Sequence, residues 1–220
     1  MIKGNDNRLT LDCFAPLAMT ENGHDVMAAM TEGDNVQKAD FLIIGTGIAG
    51  LSFALKVAEY GKVLLISKTT LTETTTRYAQ GGIAAVMHDP DTFDKHIHDT
   101  MIAGGFLNNE EMVRIAVTES KERIQELIEW GTQFDKEKNG DYALGREGGH
   151  SENRVLHHKD STGNEIERAL YEAVRHHKNI EIWENCFAID IITQHHLGEE
   201  VTRQRKDIAC YGAYVLREDL

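Results

Sequence analysis

The chemistry-bearing residues begin with Gly45-Thr46-Gly47-Ile48-Ala49-Gly50, a glycine string between two apolar runs. Glycines at this spacing make a tight turn, let backbone approach a pyrophosphate, and let a helix pack on a strand. The helix that follows offers unpaired N–H groups and the positive end of its dipole to phosphate. The string alone is a weak signal, and its bland reading is a tight strand-to-helix turn. Its setting, strand before, helix after and second strand next, gives it weight.

A dinucleotide fold usually carries an acidic residue about 20 positions after the glycines to accept ribose hydroxyls. Here the second strand runs into Ser67-Lys68, and Lys68 accepts no hydrogen bond. A plain NAD site is therefore disfavoured, and the cation instead suits a phosphate or a ribose oxygen. Next comes Thr74-Thr75-Thr76-Arg77-Tyr78-Ala79-Gln80-Gly81-Gly82-Ile83-Ala84-Ala85. A row of hydroxyls can donate to phosphate or to a heterocycle, and paired glycines let a flat ring lie against backbone. On composition alone this stretch is as much a surface loop as a site.

The elements that must position these groups follow from periodicity. Phe41–Ile44 and Val63–Ile66 are short continuous apolar runs, as in strands buried on both faces of a parallel sheet. Between them Leu51–Tyr60 reads as helix with Gly61 at its end, completing a right-handed βαβ unit. Residues 68–90 and Asn139–Glu152 read as loop, and Phe93–Ala103 as helix. Asn108 with Glu111, and Thr162 with Glu165, have capping-box spacing ahead of two further amphipathic helices. Ile180–Trp183, Phe187–Ile192 and Ile208–Leu216 are β-like. Residues 1–39, with three bases and six acids, read as a flexible extension, and 40–220 as the folded domain.

Composition narrows the function. The chain has 220 residues and a formal charge of −13, which argues against a nucleic-acid partner. No apolar run approaches the roughly 18–20 residues of a membrane span. Cys13, Cys186 and Cys210 form neither a disulfide framework nor a metal set, so a reducing cytoplasm is the simplest compartment. Cys186 and Cys210 read as small buried hydrophobes. The 11 histidines lack a completing carboxylate or cysteine pattern, so no metal is assigned and most are expected to face solvent.

Asp40–Gly50, Ser67-Lys68 and Tyr78–Ala84 together resemble the flavoprotein family of succinate dehydrogenase, fumarate reductase and L-aspartate oxidase. Arg146-Glu147-Gly148-Gly149-His150-Ser151, Arg154-Val155-Leu156-His157 and Asp160-Ser161-Thr162-Gly163 narrow the likeness to its L-aspartate oxidase branch. The resemblance implies an α/β, Rossmann-like FAD-binding domain with a parallel sheet. It also implies that this chain is only its N-terminal part, lacking the returning strand, the capping domain and the C-terminal helical domain. Alone, such a piece is expected to bind FAD poorly and oxidise little aspartate.

Carried over by position, Gly45, Thr46, Gly47, Ile48, Ala49 and Gly50 bind FAD, with Thr46 to Ala49 at the pyrophosphate turn, and Lys68 contacts it after the second strand. Thr75, Thr76, Arg77, Tyr78, Ala79, Gln80, Gly81 and Gly82 lie near phosphate and flavin, and Phe187 and Ala188 near adenosine through main chain only. Thr75 stands where sister enzymes bind flavin covalently through histidine, so the FAD here is non-covalent. Glu147 matches the residue that orients the substrate through its ammonium; its bland alternative is a surface ion pair with Arg146. The implied reaction takes hydride from L-aspartate to flavin, giving iminosuccinate, with O2 or fumarate as acceptor and quinolinate synthase downstream in NAD biosynthesis. Alternatives are a succinate dehydrogenase/fumarate reductase-type flavoprotein and a non-catalytic nucleotide-binding remnant.

Overall fold

The structure is a computed structural model that describes residues 9–13, 27–31 and 37–218. In chain order the elements begin β1 (Leu9–Cys13), β2 (Met27–Thr31), β3 (Gln37–Ala39), β4 (Phe41–Ile44), α1 (Ile48–Val57), β5 (Val63–Ile66) and β6 (Ile83–Ala84). They continue α2 (Phe93–Ala103), α3 (Glu110–Glu129), β7 (Leu144–Gly145), β8 (Val155–Leu156), α4 (Thr162–Arg175), β9 (Ile180–Trp183), β10 (Cys186–Thr193) and β11 (Cys210–Glu218). The chain divides into two compact units: Met1–Glu73 with Val174–Leu220, and Thr74–Ala173.

The first unit holds the expected parallel sheet, in the order β4-β5-β9. Phe41 pairs with Val63 and Ile44 with Ile66, while Val63 to Ile66 pair with Ile180 to Trp183. All four residues of β5 are buried, as its continuous apolar run requires of a central strand. Helix α1 starts and ends three residues earlier than its periodicity suggests, with Leu51 and Ala54 fully buried. Gly61 therefore does not cap it. A Cβ at Gly61 would collide with the carboxyl of Asp40, which accepts the Lys62 N–H at 2.6 Å, so close approach fixes that glycine.

The same unit contains an antiparallel sheet, β10-β11-β1-β2-β3. The expectation of an unstructured extension across 1–39 is corrected where β1, β2 and β3 lie; the remainder falls outside the described residues. Leu9 pairs with Glu218 and Cys13 with Tyr214, so the strand partner of β1 lies at the far end of the chain. A five-residue run carries too little local pattern to announce such a pairing. Leu64, Ile66, Trp183, Cys186, Ile192 and Val215 form this unit's core.

The second unit contains α2, α3, most of α4 and a small antiparallel sheet, β6-β8-β7. Ala85, Ile124, Phe134 and Leu156 form one of its core clusters. Two-residue strands interrupt both stretches expected as loop. Helix α3 is capped by Asn109, whose side chain accepts from the Met112 N–H at 3.2 Å, and not by Asn108. Nor do Thr162 and Glu165 form a capping box. Thr162 accepts from the His158 N–H, and Glu165 accepts from the Gln133 N–H and pairs with Arg168. Among the described residues no helix is long and apolar enough to cross a membrane.

Candidate functional site

In the first unit the glycine turn is built almost wholly from backbone. Gly45 has a φ of +105°, which L side chains rarely adopt, and its N–H donates to the Ile66 carbonyl at 2.9 Å. A Cβ at Gly50 would run into the Gly45 carbonyl oxygen, so only glycine lets α1 sit this close to the end of β4. Thr46 is buried, with its hydroxyl 3.2 Å from that of Ser67. Gly47 is the N-cap of α1 and supplies no side-chain acceptor, and the first turn holds no acid. With no capping side chain and no acid in the first turn, the positive end of the α1 dipole suits an anion such as the diphosphate of a dinucleotide.

Lys68 follows β5 and is exposed. Its Nζ lies 5.4 Å above the ring centroid of the half-exposed Phe187, a cation–π contact. Ala188 follows on β10.

In the second unit, Thr74–Gly82 forms a turn-rich loop. The Arg77 N–H donates to the Thr74 hydroxyl at 3.2 Å and the Ala79 N–H to the Thr76 carbonyl at 3.1 Å. Thr75, Arg77, Tyr78, Ala79, Gln80 and Gly81 are exposed, and Thr76 is half-buried. The two glycines differ in purpose. A Cβ at Gly82 would strike the Leu156 carbonyl and the Val155 side chain, so Gly82 serves packing. At Gly81 the only atom among the described residues within 4 Å of such a Cβ is Oε1 of Glu147, at 3.9 Å. The fold thus brings Glu147 to the open glycine of the pair.

Glu147 is exposed, and the ion pair with Arg146 is not formed: the Arg146 Nε donates to the His150 carbonyl at 2.9 Å. The loop carrying Glu147 is anchored by charge. The Ser151 N–H and hydroxyl donate to Asp99 Oδ2 at 2.8 and 2.7 Å. Arg154, 0% exposed, donates through Nε and Nη2 to Asp91 at 2.8 and 2.7 Å, and through Nη1 to Asp99 at 2.5 Å. Burial alone would raise the Asp99 carboxyl, but the Ser151 and Arg154 hydrogen bonds outweigh it and hold it down at about 2. Removing one partner of such a buried set typically costs about 3–5 kcal/mol, because the remaining charge is stranded.

Histidines and cysteines differ from expectation in places. His96 is buried, and burial together with the Arg154 charge lowers its pKa, so its ring is neutral at pH 7. His157 and His158 order the loop around Asp135 and Gln133: His157 Nδ1 lies 3.1 Å from Asp135 Oδ2, and His158 Nδ1 lies 2.6 Å from the Gln133 carbonyl. Cys186 is buried as expected, whereas Cys210 is exposed. Sequence reasoning missed Asp91 and Asp99 altogether. They stand 63 and 55 residues from Arg154, and no motif spacing connects them.

Comparison with known proteins agrees with this geometry. The tobacco (Nicotiana tabacum) protein L-aspartate oxidase 2-a, chloroplastic, is 48% identical over 173 residues, 79% of this chain and 26% of that protein. L-aspartate oxidase of Vibrio cholerae is 43% identical over 187 residues, covering 83% of this chain and 34% of its own. The chain therefore spans about a quarter to a third of the length of the curated relatives it matches. Among solved structures, E. coli quinol fumarate reductase superposes with a TM-score of 0.66 at 31% identity, over 70% of this chain and 27% of that one. The profile described as FAD binding domain matches residues 40–219, from the first strand of the parallel sheet to the end of β11. With that span, over most of its length, the chain belongs to the FAD binding domain family.

Proposed function

We propose that this chain is the flavin-binding portion of an L-aspartate oxidase. In the first unit, backbone N–H groups of Gly45–Gly50 hold the FAD diphosphate, Lys68 adds positive charge, and Phe187 and Ala188 lie along the adenosine. In the second unit, Thr75–Gly82 borders the flavin, with Thr75 leaving it non-covalently bound. Bound FAD supplies the hydride acceptor that these side chains lack.

Glu147 orients L-aspartate by pairing with its α-ammonium, while both substrate carboxylates need cations from elsewhere. A desolvated ammonium without a partner is costly, so this carboxylate discriminates aspartate from succinate. The net change is L-aspartate plus O2 to iminosuccinate plus H2O2: Cα loses hydride, nitrogen loses a proton, and O2 gains both. Fumarate is the alternative acceptor, and quinolinate synthase is the expected consumer of the imine. A reducing compartment such as cytoplasm belongs to the same reading.

The observation that carries this proposal is Glu147 standing beside Gly81, unpaired with Arg146. The test is aspartate-dependent peroxide release by the flavin-loaded protein expressed from its gene, with and without Glu147→Gln. The exchange is expected to raise the KM for L-aspartate at least tenfold, a loss of about 1.4 kcal/mol, while FAD retention stays unchanged. Aspartate oxidation unaffected by the exchange would remove Glu147 from the site. A protein that turns over succinate and not aspartate would favour the dicarboxylate alternative.

A further inference from the structure

Glu167 is the least expected side chain in the second unit. It lies on α4, is 1% exposed, and neither carboxyl oxygen has a hydrogen-bond partner. Four residues before it stands Gly163. A Cβ there would collide with the Thr76 carbonyl and press on that of Ala79, which accepts the Gly163 N–H at 2.9 Å. Residues four apart share a helix face. The α4 face pressed on the Thr74–Gly82 loop is therefore the face that carries Glu167.

We propose that Glu167 is a positioning residue for the Thr74–Gly82 loop: neutral, its carboxyl lets α4 and the loop pack together, and ionised, it drives them apart. The inference rests on the reading of that loop as the flavin border, although its first test does not need flavin.

Burial dominates the chemistry of this carboxyl. It raises the pKa to about 7, against the nearby Thr74 hydroxyl and the Arg77 charge, both of which favour the ionised form. Thr74 comes close enough to act electrostatically yet makes no hydrogen bond of good geometry to either oxygen. Thr74 and Arg77 are the groups that face Glu167 from the loop. The sign follows directly. An opened loop returns the glutamate to an ordinary pKa near 4.5, so the closed form binds the proton more tightly. The contribution of Glu167 to closure is complete below that value and is lost as pH rises through about 7.

The experiment is hydrogen exchange of the 74–82 segment in the full chain, from pH 5 to 8.5, corrected for intrinsic amide exchange. Opening is expected to increase with pH, by about tenfold per unit at its steepest, and to level off above neutrality. Glu167→Gln copies the neutral acid in shape and should flatten the profile while keeping the segment protected at pH 8. Glu167→Met is a second uncharged replacement with the same expectation. A flat profile in the unaltered chain overturns the proposal, and so does an unchanged slope in both variants. FAD affinity of the protein should follow the same pH curve. If exchange behaves as expected and FAD affinity ignores it, the positioning role stands and the flavin reading of the loop falls.

Discussion

The amino ends of α1 and α3 are opposites. At α3, Asn109 accepts the Met112 N–H at 3.2 Å, and Glu110 and Glu111 add two carboxylates to the positive end of the dipole. Helix α2 is finished in the same way, by Thr92 with Asp94 in its first turn. At α1, the cap is Gly47, which makes no side-chain cap hydrogen bond, and the first turn holds no acid. Terminal N–H groups and the dipole need a negative partner wherever a helix begins. The second unit supplies such partners from its own side chains. At the α1 cap of the first unit no side chain plays that part, and glycines shape the turn beside it.

The largest way to break this contrast is to unseat α1. A Cβ at Gly50 would meet the Gly45 carbonyl, which is backbone and cannot swing aside. Gly50→Ala is expected to cost about 1–3 kcal/mol in urea unfolding and to remove FAD binding, because the helix must leave the strand end. Gly148→Ala is the matched control. Nothing lies within 4 Å of a Cβ there, and its unfolding midpoint should stay in place. Equal effects at both positions would mean that Gly50 is not fixed by close packing.

The other end of the comparison breaks less dramatically. Asn109→Ala should cost about 1 kcal/mol, the usual value of an N-cap, with the loss read from thermal unfolding. Asn108→Ala should cost nearly nothing as a cap, since its Oδ1 has no hydrogen-bond partner. The reverse ranking would move the start of α3 by one residue.

That pair of asparagines also shows how much of the molecule was legible beforehand. The β4-α1-β5 unit announces itself because its signals are contiguous: two buried apolar runs and a glycine string within 26 residues, Phe41 to Ile66. The existence of α3 was equally plain from its apolar spacing. Which of two neighbouring asparagines caps it depends on backbone angles that composition does not carry. Pairing of β1 with β11 was hidden because it joins Leu9 to Glu218. The anchoring of the Glu147 loop was hidden too. Arg154 sat in a recognised motif, but its partners, Asp91 just before α2 and Asp99 within it, are distant in sequence and look like ordinary surface acids until burial is known. Local grammar thus reveals the glycine turn between strand and helix. Side-chain positioning needs the fold.

The smallest expected change in stability sharpens the contrast most. Gly47 has φ −69° and ψ 176°, angles open to any L residue, so Gly47→Asp introduces no dihedral strain. The new carboxylate can accept N–H groups of the first turn and turn α1 into an end like that of α3. Replacing glycine by aspartate at an N-cap is worth only a few tenths of a kcal/mol, so the thermal midpoint should rise slightly. FAD affinity should fall at least tenfold, because the aspartate carboxylate repels the diphosphate. Stability and cofactor affinity then move in opposite directions, which a merely damaging substitution cannot produce. If the variant is slightly more stable and binds FAD as before, the α1 terminus is an ordinary helix end that happens to lack a cap, and the diphosphate lies elsewhere.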